Sequence, residues 1–297
     1  MPPLVVPQLV NNLSDMNLYM GELKALQPSP YTIPYELATP LFTDNAHKQR
    51  LIALPAGETM SYVDDGLPIF PDNSVISKTF FYNFDENDPS AGRQIIETRI
   101  LIKQDGLWVL GNYHWNADQT EAILMSDSAT LPITYIDEEG VTNNIDYVIP
   151  GAGDCFTCHN LSNSEIPIGP KLRTLNFNGQ LQDFIDSNHI SGLIDASLVS
   201  SLPSWDDTSL NREQRARAYF DMNCAHCHSE GGYCEDLSTL RLSYETPFDQ
   251  TNIYNQRNSI MMRMQEVIPG FSMPWIGTTT IHDEGYELIT SYLNSLD

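Results

Sequence analysis

Basic residues are scarce in this chain: 15 Lys and Arg stand against 39 Asp and Glu among 297 residues, a formal net charge of −24. General nucleic-acid binding is excluded, because no basic surface is available to displace the counterions of phosphates. Long apolar runs are also missing, and none approaches the roughly 18–20 residues that cross a bilayer. The N-terminus, MPPLVVPQLV, has neither the basic flank nor the apolar stretch of a signal peptide. We therefore expect a soluble chain which, if exported, is written without its signal.

Cysteine is rare too, yet four of the five cysteines form two C-x-x-C-H motifs, CFTCH at 155–159 and CAHCH at 224–228. With five Cys and seven His in 297 residues, the chance expectation for one such match is about 0.002. The spacing has a chemical reason. Two thiols three residues apart can each add to a vinyl group of one haem, and the adjoining His is then held under the iron.

The two motifs therefore predict two covalently attached haem c groups with their iron. The residues expected to attach or ligate them are Cys155, Cys158, His159, Cys224, Cys227 and His228. Two other chemistries stay open. A structural zinc site ordinarily needs a second cysteine pair nearby, whereas these pairs begin 69 residues apart. Thioredoxin-like dithiol chemistry expects the motif at a helix start after a strand, and it does not explain two following histidines.

The sequence between about residues 35 and 149 has a β pattern, in which apolar and polar residues alternate and Val, Ile, Tyr, Phe and Trp are frequent. Asp-Gly and Glu-Gly turns divide the candidate strands, and LIKQDGLWVL at 101–110 predicts a hairpin. The candidate strands are 74–82, 95–103, 107–115, 131–136 and 145–149. A polar lead-in with a short amphipathic stretch at 13–26 comes before them. After 151–153 the hydrophobic period changes to that of a helix.

The second motif is preceded by a predicted helix at 209–223, and a second predicted helix at 282–296 begins with acidic residues that the helix dipole favours. Between the helices stands Ser272-Met273-Pro274-Trp275. This order resembles a class I cytochrome c domain. The resemblance implies that Met273 is the sixth iron ligand, although a flexible methionine is also a common core residue. Met261, Met262 and Met264 are expected to line the same pocket.

The first motif follows a strand and a Pro-Gly-Ala-Gly turn, and no Met-Pro loop lies between it and the second motif. His159 is its expected proximal ligand, and we expect the sixth ligand from the distant β-rich half. His47, His114 and His189 are candidates, although strand and helix-end histidines commonly have structural roles. The fifth cysteine, Cys234, is expected to be a buried free thiol, since an exposed one would oxidise.

Most of the chain resembles a largely uncharacterised family of bacterial dihaem c-type cytochromes with an N-terminal β-rich region. The resemblance implies haem on Cys155, Cys158 and His159, and on Cys224, Cys227 and His228, and it identifies no substrate. The stretches that carry it are YELATPLFTDNAHKQRLIALPAG (35–57), SKTFFY (77–82), IETRILIKQDGLWVLGNYHWNADQTEA (96–122), GDCFTCHNLSNSEIPIGPKLRTLN (153–176), YFDMNCAHCHSEGGYC (219–234) and MPWIGTTTIHDEGYELITSYLNSL (273–296).

The expected fold is α+β and multidomain, with an antiparallel β-rich domain followed by a mainly α-helical cytochrome c-like domain. The expected divisions are a lead-in at 1–34, the β-rich domain at 35–150, a first haem-binding segment at 151–205 and the cytochrome c-like domain at 206–297.

The expected function is one-electron transfer between redox partners, by a protein located in the periplasm, at the cell surface or outside the cell. The acidic surface would attract basic partners. A dihaem peroxidase with an open iron at the first motif is one alternative, although no distal acid–base pair is recognisable. A redox-linked binding protein is another, in which aromatics such as Trp108 and Trp115 hold a surface ligand.

Overall fold

A computed structural model describes residues 1–296, which form mainly antiparallel β-sheets followed by a mainly helical half, an α+β architecture; one short pairing, between β5 and β14, is parallel. The helices are α1 Ala152–Cys158, α2 Leu172–Leu175, α3 Gln180–Asp186, α4 Arg212–Asn223, α5 Phe248–Thr251, α6 Ile253–Met264 and α7 Asp283–Leu293. The strands are β1 Tyr19–Met20, β2 Gln27–Pro28, β3 Ile33–Pro34, β4 His47–Ala53, β5 Met60–Ser61, β6 Val75–Asn83, β7 Arg93–Gln104, β8 Leu107–Trp115, β9 Ala122–Met125, β10 Ala129–Ile136, β11 Thr142–Ile149, β12 Asn160–Leu161, β13 Ser164–Glu165 and β14 Ile190–Ser191.

The main sheet has six antiparallel strands in the order β3-β4-β6-β7-β8-β9. The predicted strands and the predicted hairpin are confirmed. The turn of this hairpin, between β7 and β8, consists of Asp105 and Gly106, whose φ angles are positive at 49° and 80°. Such angles suit a two-residue turn whose twist matches that of the flanking strands. The remaining predicted strands, β10 and β11, form a separate hairpin.

The main sheet is covered on both faces. The segment before β3, expected to be a polar lead-in, buries Leu13, Met16 and Leu18 against one face, beside Tyr113 and Trp115. The amphipathic stretch at 13–26 is not one helix, because it contains two short 3₁₀ turns with β1 between them. The segment thereby shields apolar side chains on this face from water.

The other face packs against helices from the second half of the chain. Its core joins Ile52, Ile76 and Leu101 of the sheet to residues of α2, α3 and α4. Ala218 and Met222 of α4 belong to this core, whereas Ala216 and Phe220 belong to a core shared with α6 and α7. Helix α4 therefore connects the sheet to the C-terminal helices and fixes the position of the motif that follows it.

Both tryptophans that a surface ligand would require are buried: Trp108 is 7% exposed and Trp115 is 8% exposed, in the cores on opposite faces of the sheet. They therefore offer no aromatic surface to a ligand. The expectation that Trp108 and Trp115 hold a surface ligand, on which the binding-protein alternative depended, is wrong. Among residues 1–296, the helices are too short or too polar to span a bilayer.

Candidate haem site

The second C-x-x-C-H motif begins where α4 ends. The helix starts after Asn211, whose side-chain oxygen accepts the Gln214 backbone N–H at 2.9 Å and caps the N-terminus. Cys224 is the C-terminal cap, and the backbone N–H of His228 donates to the Cys224 carbonyl at 2.9 Å. This helical turn brings the side chains of the motif to the same side of the chain.

The motif opens onto a cavity of about 530 Å³, which Cys224, Cys227, His228 and Met273 all line. Its other lining residues are largely apolar and include Phe220, Leu240, Leu242, Ile260, Met264 and Trp275. Small-molecule and cofactor sites commonly measure about 300–1,000 Å³ and are mostly apolar. The volume, the lining and the donor set at the second motif therefore fit a haem.

The Met-Pro loop brings Met273 to this cavity, and the backbone N–H of Met273 donates to the Arg263 carbonyl at 2.8 Å. Met264 lines the cavity too. Met262 is 52% exposed instead, and Met261 packs with the core of the C-terminal helices. The assignment of Met273 as an iron ligand stays a prediction, with Met264 as its nearest competitor.

His228 is held as a neutral imidazole. Burial lowers its pKa to about 4, and the charges of His226, Arg241 and Arg263 act in the same direction. A neutral imidazole is the form that binds a metal. The Nδ1 atom of His228 is buried and has no hydrogen-bond partner within residues 1–296.

The first motif lies in α1 and the residue after it, instead of following a turn as expected. The helix begins at Ala152, and at its N-terminus the Asp154 carboxylate accepts the Gly151 backbone N–H at 3.1 Å. His159 is buried, and its Nδ1 lies 2.7 Å from the Ile166 carbonyl oxygen. This contact fixes the ring with Nε2 available to a metal.

The donor set at the first motif fits haem ligation, but the space beside it does not. Burial, followed by the nearby Lys78 charge, lowers the pKa of His159 to about 3, so its imidazole is neutral. The adjacent cavity measures about 50 Å³, far below the volume of a cofactor site. Within the described chain, the side chains that β7 and β8 contribute to this cavity include Arg99 and Asn112 but no His or Met.

Within residues 1–296, none of the three histidines expected as distant ligands lines this cavity. His47 pairs with Glu86 at 2.8 Å and stacks on Phe81. His189 packs its ring edge against Phe184. His114 lies on β8 opposite Glu97, and burial lowers its pKa.

The two motifs contact each other, which their spacing did not predict. Three side chains each bring one potential metal-ligand atom to within 4.8 Å of the other two: Cys158, His226 and Cys227. Cys234 lies at the same large cavity as Cys158 and Cys227, and it is half-buried there rather than buried as expected. The position of His226 inside the second motif predicted a side chain too constrained to reach another iron, yet the structure places it beside Cys158 of the first motif. Nothing in the local sequence indicates the contact with Cys158.

Comparisons of the chain with protein-family models, with curated proteins and with solved structures gave no match.

Proposed function

We propose that this protein is an exported dihaem c-type cytochrome that passes single electrons between redox partners. The observation that carries the proposal is the 530 Å³ cavity in which Cys224, Cys227, His228 and Met273 meet. Bound haem supplies the one-electron chemistry, since its iron alternates between the ferric and ferrous states. The α4–motif–α7 region then corresponds to the cytochrome c-like domain that the sequence resembles.

The side chains at the second motif have separate tasks. Cys224 and Cys227 would supply the thiols for covalent attachment of a haem, and the neutral His228 would supply a nitrogen ligand to its iron. Met273 supplies a thioether on the loop before α7. The apolar lining would keep water from a haem held here, and the Met273 thioether would bias its iron toward the ferrous state.

The proposal for the first motif depends on Cys155, Cys158 and the oriented, neutral His159. A cavity of 50 Å³ admits no porphyrin, so haem at this motif requires α1 to separate from Arg99 and Ile276, which line the cavity with it. We therefore derive no chemical step from the first motif.

Charge and chemistry guide the proposed partners and location. A net charge of −24 attracts basic redox proteins and makes their association sensitive to salt. Attachment of haem to C-x-x-C-H needs reduced thiols and the attachment machinery of the export side, so the proposed location is the periplasm, the cell surface or the exterior.

A second candidate function is a structural metal site that joins the two motifs. Cys158, His226 and Cys227 offer two sulfurs and one imidazole nitrogen within 4.8 Å, a donor set that suits Zn²⁺. The same cysteines cannot serve both chemistries, because a thioether to haem no longer carries a thiolate. Haem content and metal content therefore separate the two candidates.

The deciding experiment is expression with export and haem attachment, followed by a pyridine haemochrome assay and elemental analysis. The proposal predicts two covalent haems per chain and no stoichiometric zinc. Cys224→Ala with Cys227→Ala should remove one haem, and Cys155→Ala with Cys158→Ala the other. Cys234→Ser, which changes a neighbouring thiol outside the motifs, is the matched control and should keep both.

One haem per chain would remove the first motif from the proposal. No covalent haem together with one zinc, lost in Cys158→Ala and His226→Ala, would establish the metal site instead.

A further inference from the structure

The Met-Pro loop, residues 273–282, leads into α7 and contains no helix or strand. Its first four residues line the cavity of about 530 Å³ at the second motif. In the described part of the chain, residues 274–281 make no hydrogen bonds to one another. An irregular segment of this kind keeps one position only if groups elsewhere in the fold satisfy its backbone.

The carboxylate of Asp44 binds this loop. It accepts the backbone N–H of Thr279 at 2.8 Å and that of Thr280 at 2.9 Å, and it accepts their two hydroxyl groups at 2.8 and 2.9 Å. Within residues 1–296, residues 274–281 make no other hydrogen bond. Asp44 is 2% exposed, and hydrogen bonds to a carboxylate are stronger than those between neutral groups. One buried side chain therefore supplies the polar contacts of the loop.

Asp44 is itself fixed to the main sheet. The Tyr82 hydroxyl on β6 donates to the Asp44 carbonyl, and Tyr82 is buried. Asp44 and Asn45 have positive φ angles of 47° and 63°, in the left-handed region that Asp and Asn enter more readily than most other residues. Such angles persist where the surrounding structure imposes them. The Asp44 carboxylate is thus directed at the Met-Pro loop by a backbone that the sheet holds.

The residues just before Asp44 contact the other side of the same cavity. The backbone N–H of Phe42 donates to the side-chain oxygen of Asn223 at 2.8 Å, and Asn223 is the last residue of α4, directly before Cys224. The Phe42 ring also stacks on His282 at the end of the Met-Pro loop, with the ring centroids 4.3 Å apart. Residues 42–44 therefore join the start of the second motif to the loop that carries the expected methionine ligand.

We propose that Asp44 is the positioning residue for Met273. It holds the Met-Pro loop against the second motif, so that the Met273 thioether stays within reach of an iron bound there. The inference rests on the proposed function, in which Met273 is an iron ligand. Metal ligands need neighbouring groups that fix them to within about 0.5 Å of the productive geometry. The ligand belongs to the helical half of the chain, but a residue of the β-rich half sets its position.

The first test is amide hydrogen exchange of the purified full-length protein, resolved to single residues by mass spectrometry. In Asp44→Asn the Thr279 and Thr280 amides should exchange about tenfold faster than in the wild type, because the new amide group places donors where a carboxylate oxygen accepts. Asp72→Asn is the matched control and should leave both rates unchanged. The Asp72 carboxylate also accepts a backbone N–H, that of Gly106 at 2.9 Å, but it does so at the turn of the β7–β8 hairpin.

The second test is the absorption spectrum of the protein with attached haem. Asp44→Asn should weaken the charge-transfer band of the oxidised protein, and the reduced variant should bind carbon monoxide, because a displaced thioether leaves one iron position open. Asp72→Asn should match the wild type in both measurements. A merely structural role of Asp44 would lower the melting temperature and leave the band unchanged, and that result overturns the proposal.

Should Asp44→Asn fail to fold, the loop side of the contact offers a second pair of variants. Thr279→Val with Thr280→Val removes two of the four donor groups and must weaken the band. Thr279→Ser with Thr280→Ser keeps all four donor groups and must retain the band. Equal bands in the two double variants overturn the proposal.

The positioning role and the proposed function can fail separately. Absence of covalent haem from the wild type contradicts the proposed function, and the exchange rates of that haem-free chain still decide whether Asp44 holds the loop. Unchanged rates at Thr279 and Thr280 in Asp44→Asn overturn the inference with or without haem. A wild type that carries haem but lacks the charge-transfer band removes Met273 as the ligand and overturns the inference as well.

Discussion

The sulfur atoms of Cys158 and Cys227 lie within 4.8 Å of each other although the two cysteines belong to different motifs and stand 69 residues apart in sequence. The Cys227 Sγ also lies 3.7 Å from the Thr157 carbonyl oxygen. Residues of the two motifs thus lie next to each other, between α1 and the large cavity. Groups attached at both motifs would be anchored at adjoining atoms, which suits a protein that passes electrons internally.

The first prediction concerns the chain before haem is attached. The nearby Cys227 and His226 side chains lower the pKa of Cys158, which favours the thiolate that attacks a disulfide. Chain expressed without the attachment machinery and treated with oxidised glutathione should form a Cys158–Cys227 disulfide, releasing two molecules of reduced glutathione. Peptide mapping by mass spectrometry detects the cross-link between the two motifs.

Cys234→Ser is the control for this cross-link and should still form it. Disulfides found only within each motif, between Cys155 and Cys158 and between Cys224 and Cys227, would contradict the described contact.

The second prediction concerns the sixth ligand of the haem at the second motif. Met273→Ala should abolish the weak charge-transfer band near the red edge of the oxidised spectrum. It should also lower the potential of that haem, because thioether ligation favours the ferrous iron. Met264→Ala, which alters another methionine at the same cavity, should leave the band intact. Loss of the band in Met264→Ala but not in Met273→Ala would reverse the assignment.

The third prediction concerns the buried ion pair beneath the first motif. Glu97→Gln should lower the free energy of unfolding by about 3 kcal/mol, because it leaves the Arg99 charge buried without its carboxylate. Urea denaturation measures the change. Glu139→Gln, at an exposed turn, should change it by less than about 0.5 kcal/mol. Equal midpoints for the two variants would show that Glu97 contributes nothing beyond a surface residue.

Local patterns in the sequence were sufficient for much of the fold. Alternation of apolar residues indicated β6, β7 and β8, and Asp105-Gly106 indicated the hairpin that joins β7 to β8. The helical period predicted the ends of α4 and α7 to within a few residues. Helix α4 begins later than predicted because Asn211 caps it, and α7 ends earlier than predicted because a 3₁₀ turn follows it. These features depend on neighbours in sequence, which is why they could be predicted.

Features that depend on distant contacts could not be predicted. The Cys158–Cys227 contact requires α1 and the end of α4 to meet, and no periodicity encodes that packing. The positions of Lys78 and Arg99 left no alternation signal either, because the residues on both sides of them in sequence are buried as well, namely Ser77, Thr79, Thr98 and Ile100.

The spectrum of the reduced protein before and after carbon monoxide is added tests the central claim most directly. An electron carrier with both irons fully ligated should bind no carbon monoxide, whereas Met273→Ala should bind one equivalent at the second motif. Rapid, stoichiometric binding to the wild type, together with turnover of hydrogen peroxide, would contradict the electron-carrier account and establish a peroxidase with an open iron.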